Sequence, residues 1–367
     1  MKTINMRSSA HKIKGHGVLT AYNEQVNLVK NGLKNKYIVY ENKLKKTDIV
    51  HYHTIDLEYY LETFMNDYKT INVGYVHFLP ETVDDSLNLP EFCKKAFYEY
   101  IIKFYKRMDH IVTVNPYFID EIEKYGIDKR KVTYIPNYVS KEKIYRYEDS
   151  KRKEIRKFYN INENEFVVLC VGQVQTRKGV KDFVEVAKML PNIKFIWVGG
   201  FSFGRITEGY EELKKIVANP PSNVNFMGMV ERDLMNNIFN LADVMFLPSY
   251  NELFPMTILE SMNCSVPLLL RDIPLYKSIL FDYYNKGNNN NEFADILEHL
   301  RDDKEDYKKW AGKANEGSVF YSKENVLKLW ENFYDGILKV DVAKKKGKNR
   351  FNSYVRMRLR KYEKKVV

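Results

Sequence analysis

The sequence predicts an α/β protein made of two Rossmann-like domains that face each other across a cleft. Short apolar strands alternate with helical stretches along most of the 367 residues, which is typical of parallel sheets covered by helices on both faces. The length exceeds what one core usually holds, and the highly charged stretch 140–164 separates two such series. We therefore predict domains at residues 1–150 and 151–340, followed by a basic tail at 341–367.

The composition is that of a globular protein without a membrane span. Hydrophobic residues make up 44% of the chain and aromatic residues 14%, enough for two packed cores. No apolar run reaches the length of about 18 residues that a span requires, and the first residues lack the apolar core of a signal peptide. Cys93, Cys170 and Cys264 show no metal-ligand spacing and indicate a reducing compartment. We expect a cytoplasmic protein with structural cysteines.

The first domain opens with a strand at residues 2–6, a loop with Gly15 and Gly17, and a helix from about Val18. This arrangement lets a phosphate approach the backbone and a helix N-terminus, although a plain strand-to-helix loop explains it equally well. Further strands are predicted at residues 37–40, 48–53, 71–77, 110–114 and 131–135.

Polar side chains follow several of these strands. His51 and His53 end the third strand, His77 ends the fourth and Asn115 follows the fifth. One such histidine is more often structural than catalytic. Because ligands gather at the carboxyl ends of parallel strands, three histidines there favour a functional site.

A helix predicted at residues 90–108 has a broad apolar face flanked by basic residues. Packing into the core is the usual reason for such a face, and contact with a membrane interface is the alternative.

The second domain begins with a strand at 166–171, which leads through Gly172 and Lys178 into a helix at 180–190. A basic side chain beside glycine at such a turn can clamp a diphosphate. Strands at 194–198 and 223–227 follow, each ending in glycine, then a polar loop at 288–291. Helices up to about residue 339 are expected to complete the domain.

The most informative stretch runs from residue 247 to 274. A strand at 244–247 enters a loop with Glu252, and a helix at 255–263 carries Glu260, so the two carboxylates can reach different depths of one cleft. The amides of Phe254, Met256 and Thr257 lie at the helix N-terminus, which favours an anion such as a diphosphate. The two carboxylates can accept hydrogen bonds from sugar and ribose hydroxyls. The spacing alone is also common on solvated helices.

The order of features in this stretch resembles the E-x7-E signature of retaining glycosyltransferases of family 4, which have the GT-B fold. These features are the strand at 244–247, Pro248-Ser249, Glu252, Phe254-Pro255, Glu260, a small-residue turn and a strand at 266–270. A narrower resemblance rests on the opening of the chain and residues 166–182. It is to Gram-positive enzymes that add a second hexose to monoglucosyl-diacylglycerol.

This resemblance implies a metal-independent hexosyltransferase that uses a UDP-hexose donor and no separate cofactor. His77 and Glu252 would orient the hexose, and Lys178 would hold the leaving phosphate. The family usually has Arg where this chain has Gln173, and Arg177 is the candidate replacement. Lys178 and Glu252 are expected to face a solvent-filled cleft. The implied donor-binding residues are Gly17, Gly172, Gln173, Arg177, Lys178, Gly200, Gly228, Met229, Phe254, Pro255, Met256, Thr257 and Glu260.

The basic tail points to a membrane partner. Residues 341–367 contain eleven Lys and Arg against two acids and so carry nine of the eleven net positive charges. Drawn as a helix, the tail has one apolar stripe among basic residues. Such a helix binds an anionic membrane surface, which predicts peripheral attachment at the cytoplasmic face of the membrane, with packing on the first domain as the alternative.

Three other functions share some of these features. A non-lipid acceptor such as a polysaccharide, or epimerisation of a UDP-sugar, would use the same nucleotide half. Nucleic-acid binding would use the tail, but little positive charge lies outside it, and we expect no nucleic-acid partner.

Overall fold

The computed structural model describes residues 1–12, 17–67, 69–77, 79–80, 90–202, 204 and 207–339. Within these ranges the chain forms two six-stranded sheets in which every neighbouring pair of strands is parallel. The strands are β1 Lys2–Arg7, β2 Tyr37–Glu41, β3 Ile49–Tyr52, β4 Ile71–Val76, β5 His110–Thr113, β6 Val132–Tyr134, β7 Val167–Val171, β8 Lys194–Val198, β9 Val224–Gly228, β10 Val244–Leu247, β11 Leu268–Arg271 and β12 Asn285–Gly287.

Helices connect most of the strands, as parallel pairing requires. They are α1 Gly17–Gly32, α2 Leu57–Met65, α3 Glu91–Lys106, α4 Tyr117–Lys124, α5 Asp149–Phe158, α6 Val180–Met189, α7 Tyr210–Ala218, α8 Met235–Leu241, α9 Met256–Asn263, α10 Pro274–Leu280, α11 Asn290–Asp302, α12 Lys304–Phe320 and α13 Lys323–Lys339. Among the helices described, none combines the length and apolar character that crossing a bilayer needs.

The strand orders fix where ligands can bind. The first sheet runs β2-β1-β3-β4-β5-β6, and the second runs β12-β11-β10-β7-β8-β9. The second is the Rossmann order, in which successive strands are added first to one side and then to the other, and this order reverses between β7 and β10. In the first sheet the order reverses between β1 and β3. Crevices at these reversals, beyond the carboxyl ends of the strands, are where open α/β sheets bind their ligands. The predicted α/β architecture is therefore confirmed.

The charged stretch 140–164, predicted to separate the two halves, contains α5. Arg152 and Arg156 reach the buried carboxylate of Asp243 at 2.5 and 3.2 Å and fix that helix against the second sheet. The prediction of a polar loop at 288–291 is wrong in its second half, which is the start of α11. There the Asn289 side chain accepts a hydrogen bond from the Glu292 amide and caps the helix, as Asn does at N-caps.

The broad face of the helix α3 is mostly core. Ile101, Phe104 and Tyr105 are fully buried against the first sheet, whereas Phe92 near the helix N-terminus is exposed. The face therefore stabilises the first half, and only its amino-terminal end is available to solvent.

Helix α13 packs on the first sheet, although it ends the chain segment that was assigned to the second domain. Its Asp335 accepts a hydrogen bond from the Tyr37 hydroxyl, and its Glu331 pairs with Lys36 at 2.5 Å. Trp330 is buried and stacks on Tyr75 of β4, with ring centroids 5.9 Å apart. We propose to keep a domain division near residue 150 and to count α13 with the first domain.

Aromatic rings and histidines stack at the carboxyl ends of β3 and β4. The rings of His53 and Tyr75 are 5.1 Å apart, and those of Tyr75 and His77 are 4.3 Å apart. His51 Nδ1 lies 2.9 Å from the Tyr334 hydroxyl of α13. Burial lowers the pKa of His51 to about 3 and holds the pKa of His53 well below its usual value, because low-dielectric surroundings disfavour the charged ring. His51 and His53 are therefore neutral packing residues.

The buried imidazole of His53 should make the protein less stable in acid. It stays neutral when folded but takes up a proton near pH 6.5 when unfolded, so stability is full above that pH and falls as the pH drops toward the folded-state pKa. Between pH 7.5 and 5.5 the free energy of unfolding should fall by about 1.4 kcal/mol through this residue. The free energy of unfolding of wild type minus that of His53→Leu, both measured by urea denaturation, should fall by that amount over the same pH interval. A difference that does not change with pH would contradict the neutral assignment.

Candidate active site

The reversal point of the second sheet brings two loops into direct contact. Gly179 follows β7 with φ 73°, and a Cβ atom at this position would lie 2.5 Å from the carbonyl oxygen of Pro248, which follows β10. A larger residue would force the loops apart, and the left-handed backbone also favours glycine. This contact holds the turn with Lys178 against the loop that carries Glu252.

Lys178 and Glu252 form a direct ion pair at this contact. They are only 9% and 6% exposed, so the expectation that both face a solvent-filled cleft is wrong. Each satisfies the other's charge, which is the condition under which ionised groups tolerate burial. The Arg177 guanidinium lies 3.8 Å from the second Glu252 oxygen and donates to the Asn251 carbonyl at 3.0 Å.

The three side chains form a cluster with one excess positive charge. Burial alone would raise the pKa of Glu252, but the cations of Lys178 and Arg177 outweigh it and lower that pKa. The pKa of Lys178 is lowered by burial and by Arg177, although Glu252 opposes the change. Arg177 adds to the lowering of both pKa values, and Glu252 stays ionised.

The loop after β10 is held by its neighbours at several points. The Tyr250 amide donates to the Arg177 carbonyl at 2.8 Å, and its hydroxyl donates to Asp182 at 2.9 Å. Arg271 donates to the Pro248 carbonyl at 2.9 Å. The loop therefore delivers Phe254 and Pro255 to the start of α9 at a fixed position. The amides of Met256 and Thr257 then belong to the first turn of this helix, where amides have no partner inside the helix.

Three glycine-containing turns form a continuous edge beyond β7, β8 and β9. The Gly172 amide donates to the Val198 carbonyl at 2.9 Å, and the Gly199 amide donates to the Gly228 carbonyl at 2.8 Å. A Cβ at Gly199 would lie 1.9 Å from the Gly172 carbonyl oxygen. The predicted donor-binding residues Gly172, Gln173, Gly200, Gly228 and Met229 all belong to this edge, and the Met229 side chain is exposed.

Glu260 lies on α9 and pairs with Arg232, which sits in the turn after β9. The carboxylate is buried, and burial raises its pKa while Arg232 opposes the rise. Arg232 is not among the residues predicted from the sequence, although its position four residues after Gly228, at the same sheet edge, was an available signal.

The first half contributes the opposite wall. Gly17 begins α1, while Gly15 lies outside the described residues. His77 follows β4 and is partly buried in the ring stack. The Asn115 side chain donates to the Leu253 carbonyl at 3.0 Å, and the Asn137 side chain donates to the Phe254 carbonyl at 2.9 Å. The loop with Glu252 therefore lies across the carboxyl ends of β5 and β6.

The arrangement is suited to holding a phosphorylated ligand. An excess positive charge, a helix N-terminus and a glycine edge surround one crevice, and each favours phosphate. In the part of the chain that the structure describes, His, Cys, Asp and Glu side chains form no group of three that could hold a metal ion.

Two Rossmann-like halves facing one crevice, with a cationic site in the second, are the architecture of the GT-B class of glycosyltransferases. Anabaena HepE, solved in complex with UDP and glucose, superimposes with a TM-score of 0.71 at 14% identity, covering 93% of this chain and all of that one. WaaG, a glycosyltransferase of lipopolysaccharide biosynthesis, gives 0.65 at 14% identity, covering 90% and 99%. These likenesses concern the fold.

Sequence comparison gives the family. Residues 151–317 match the model of Glycosyl transferases group 1, and residues 30–143 match that of Glycosyltransferase Family 4. The alpha-galactosylglucosyldiacylglycerol synthase of Streptococcus pneumoniae is 45% identical over 90% of this chain and 89% of its own. The processive diacylglycerol alpha-glucosyltransferase of Acholeplasma laidlawii is 30% identical over 82% and 88%. This chain therefore belongs to the family 4 glycosyltransferases and is an enzyme, as its motifs predicted.

Breaking the buried ion pair should destabilise the fold. Glu252→Gln leaves Lys178 and Arg177 with no anion between them, so we expect a loss of roughly 3 kcal/mol in the free energy of unfolding. Lys178→Met should cost less, because Glu252 keeps Arg177 as a partner. Urea denaturation measures both. Lys188→Met, which removes an ion pair with half-exposed side chains, is the control and should change little. A Glu252→Gln midpoint equal to wild type would contradict the buried pair.

Proposed function

We propose that this enzyme transfers glucose or galactose from a UDP-sugar to a glycolipid acceptor, monoglucosyl-diacylglycerol, with retention of the anomeric configuration. The cationic cluster of Lys178, Arg177 and Glu252 beside the α9 N-terminus is the observation that carries the donor assignment. The 45% identity with the pneumococcal synthase over nearly the whole chain supports the acceptor.

The reaction exchanges one bond at the anomeric carbon. Its bond to the UDP oxygen breaks, and a bond to the acceptor hydroxyl oxygen forms on the same face of the sugar. The hydroxyl proton passes to the leaving phosphate, so the protein need not supply a base. Negative charge grows on the diphosphate as the bond breaks, and fixed positive groups near that charge lower the barrier.

The residues at the crevice divide this work. Lys178 and the amides of Phe254, Met256 and Thr257 stabilise the leaving diphosphate, with Arg177 supplying the charge that Gln173 lacks. A donor phosphate would compete with Glu252 for Lys178 and free that carboxylate for a sugar hydroxyl.

Other residues position the rest of the donor. Glu260, held by Arg232, accepts from the ribose hydroxyls. His77 orients the hexose, and Gly17 closes the crevice from the first half. The edge with Gly172, Gly200, Gly228 and Met229 surrounds the nucleotide.

The acceptor is a lipid, so the enzyme must work at a membrane surface. We propose peripheral attachment at the cytoplasmic face through the basic tail 341–367, which lies outside the described residues. Each Lys or Arg near an anionic surface contributes about 1 kcal/mol, so eleven such residues supply ample attraction at moderate salt. The exposed Phe92 at the start of α3 is a second candidate contact.

Transfer should be measurable with purified enzyme, UDP-glucose or UDP-galactose, and monoglucosyl-diacylglycerol in mixed micelles. The Lys178→Met variant should lose roughly 10²–10³-fold in kcat, since one charged contact to a developing phosphate charge is removed. A metal chelator should leave the rate unchanged.

The matched control is Lys181→Met, three residues away and half-exposed, which should keep normal turnover. Near-normal kcat for Lys178→Met at saturating donor would remove this residue from the mechanism. A need for added magnesium or manganese would overturn the metal-independent mechanism.

Deleting residues 344–367 should separate membrane binding from donor binding. The truncated protein should fold and bind UDP as before, but it should no longer pellet with vesicles containing phosphatidylglycerol, and it should lose activity on the lipid acceptor. Raising the salt concentration should weaken pelleting of the full chain, because screening reduces the attraction. Full vesicle binding by the truncated protein at low salt would contradict the role of the tail and direct attention to α3.

A further inference from the structure

The side-chain amide of Asn115 makes four hydrogen bonds where the two halves meet. Its Nδ2 donates to the carbonyl oxygens of Leu253 and Leu275, each at 3.0 Å. Its Oδ1 accepts from the Tyr117 amide and the Ser278 hydroxyl, each also at 3.0 Å. An amide has two donor hydrogens and two acceptor sites, so this buried group is fully satisfied. It joins the end of β5 to the β10–α9 loop and to α10.

A second side-chain amide donates a hydrogen bond to the next residue of the same loop. Asn137, just after β6, donates through Nδ2 to the Phe254 carbonyl at 2.9 Å, and its Oδ1 lies 3.5 Å from the Tyr75 hydroxyl. Two side chains from the first half therefore hold the carbonyls of two consecutive residues in the second. Those residues directly follow Glu252.

The geometry of the peptide groups relates these hydrogen bonds to the end of the loop that is proposed to bind the diphosphate. The Leu253 carbonyl and the Phe254 N–H belong to one planar trans peptide, so they point in opposite directions. When Asn115 fixes the carbonyl toward the first half, the Phe254 N–H must face the other way. The Phe254 carbonyl, fixed by Asn137, likewise sets the approach of the chain through Pro255 into α9.

We propose that Asn115 and Asn137 are positioning residues that form an interdomain amide clamp, which links the relative position of the two halves to the orientation of the donor-binding loop. The clamp acts on the donor diphosphate through Phe254 and through the start of α9, and neither amide touches substrate. This inference rests on the proposed function, because the loop matters for catalysis only if it binds a nucleotide diphosphate.

The carbonyl oxygens of Leu253 and Leu275 both need a hydrogen-bond donor on the side chain of residue 115. An aspartate has the same shape but directs carboxylate oxygens at two carbonyl oxygens, so contacts that attract become contacts that repel. Asn115→Asp is therefore the variant that tests these two hydrogen bonds most directly. Asn137→Asp loses one bond instead of two, and it carries the test if Asn115→Asp fails to fold.

The chain offers a matched control far from the crevice. Asn223, just before β9, donates through Nδ2 to the carbonyls of Ala187, Leu190 and Ile193 at 2.8, 3.0 and 3.0 Å. Asn223→Asp makes the same chemical change at an amide that also holds backbone carbonyls. It reports the effect of lost stability alone.

The experiment compares UDP affinity by calorimetry and steady-state kinetics among wild type, Asn115→Asp, Asn137→Asp and Asn223→Asp. We expect about 10-fold weaker UDP binding in the two clamp variants, and a fall of about 10–100-fold in kcat/KM for the donor. The acceptor KM should stay within about twofold. Asn223→Asp should bind UDP as wild type does, because partial unfolding lowers the active fraction without changing the affinity of folded molecules.

Two results would overturn the inference in distinguishable ways. If wild type binds UDP and both folded clamp variants match Asn223→Asp in UDP affinity and donor kcat/KM, the clamp is only structural. If wild type itself neither binds UDP nor transfers hexose from UDP-sugars, the donor assignment fails, and the clamp fails with it.

Discussion

The contact between the loops after β7 and β10 is the constraint on which the site depends. Gly179 allows the backbone to lie against Pro248, and this approach buries the Lys178–Glu252 pair at the reversal point of the second sheet. A buried pair of this kind gives little net stability, because desolvation opposes the attraction. Its value is geometric: it holds a lysine and a carboxylate at one fixed point of the crevice, with Arg177 keeping the cluster positive.

The two halves are tied together by polar contacts as well as by apolar packing. Asn115 and Asn137 hold the loop after Glu252, and Asn263 on α9 donates to the Val139 carbonyl at 3.1 Å. Helix α13 returns to the first sheet and buries Trp330 and Tyr334 against the histidine stack. The crevice is therefore bounded by two sheets whose relative position is set by specific hydrogen bonds, and directional bonds define an arrangement more narrowly than apolar contact does.

The charges of this chain are sorted by location. Cations within the crevice are paired with Glu252 or Glu260, whereas most of the net positive charge lies in the tail. The cluster of Lys178, Arg177 and Glu252 and the basic tail are therefore separate in the sequence. Under the proposed function, the cluster attracts the donor diphosphate and the tail attracts an anionic membrane surface.

The sequence by itself determined the α/β class, nearly all strands and the family, because these depend on local periodicity and on motifs such as Glu252 and Glu260 with their neighbours. Only the tertiary structure decided which groups meet. The burial of Lys178 against Glu252, the pairing of Glu260 with Arg232 and the grip of Asn115 on Leu253, 138 residues away, all join segments distant in the chain. The packing of α13 on the first sheet was likewise undecided, since an amphipathic pattern shows that a face is buried but not against what.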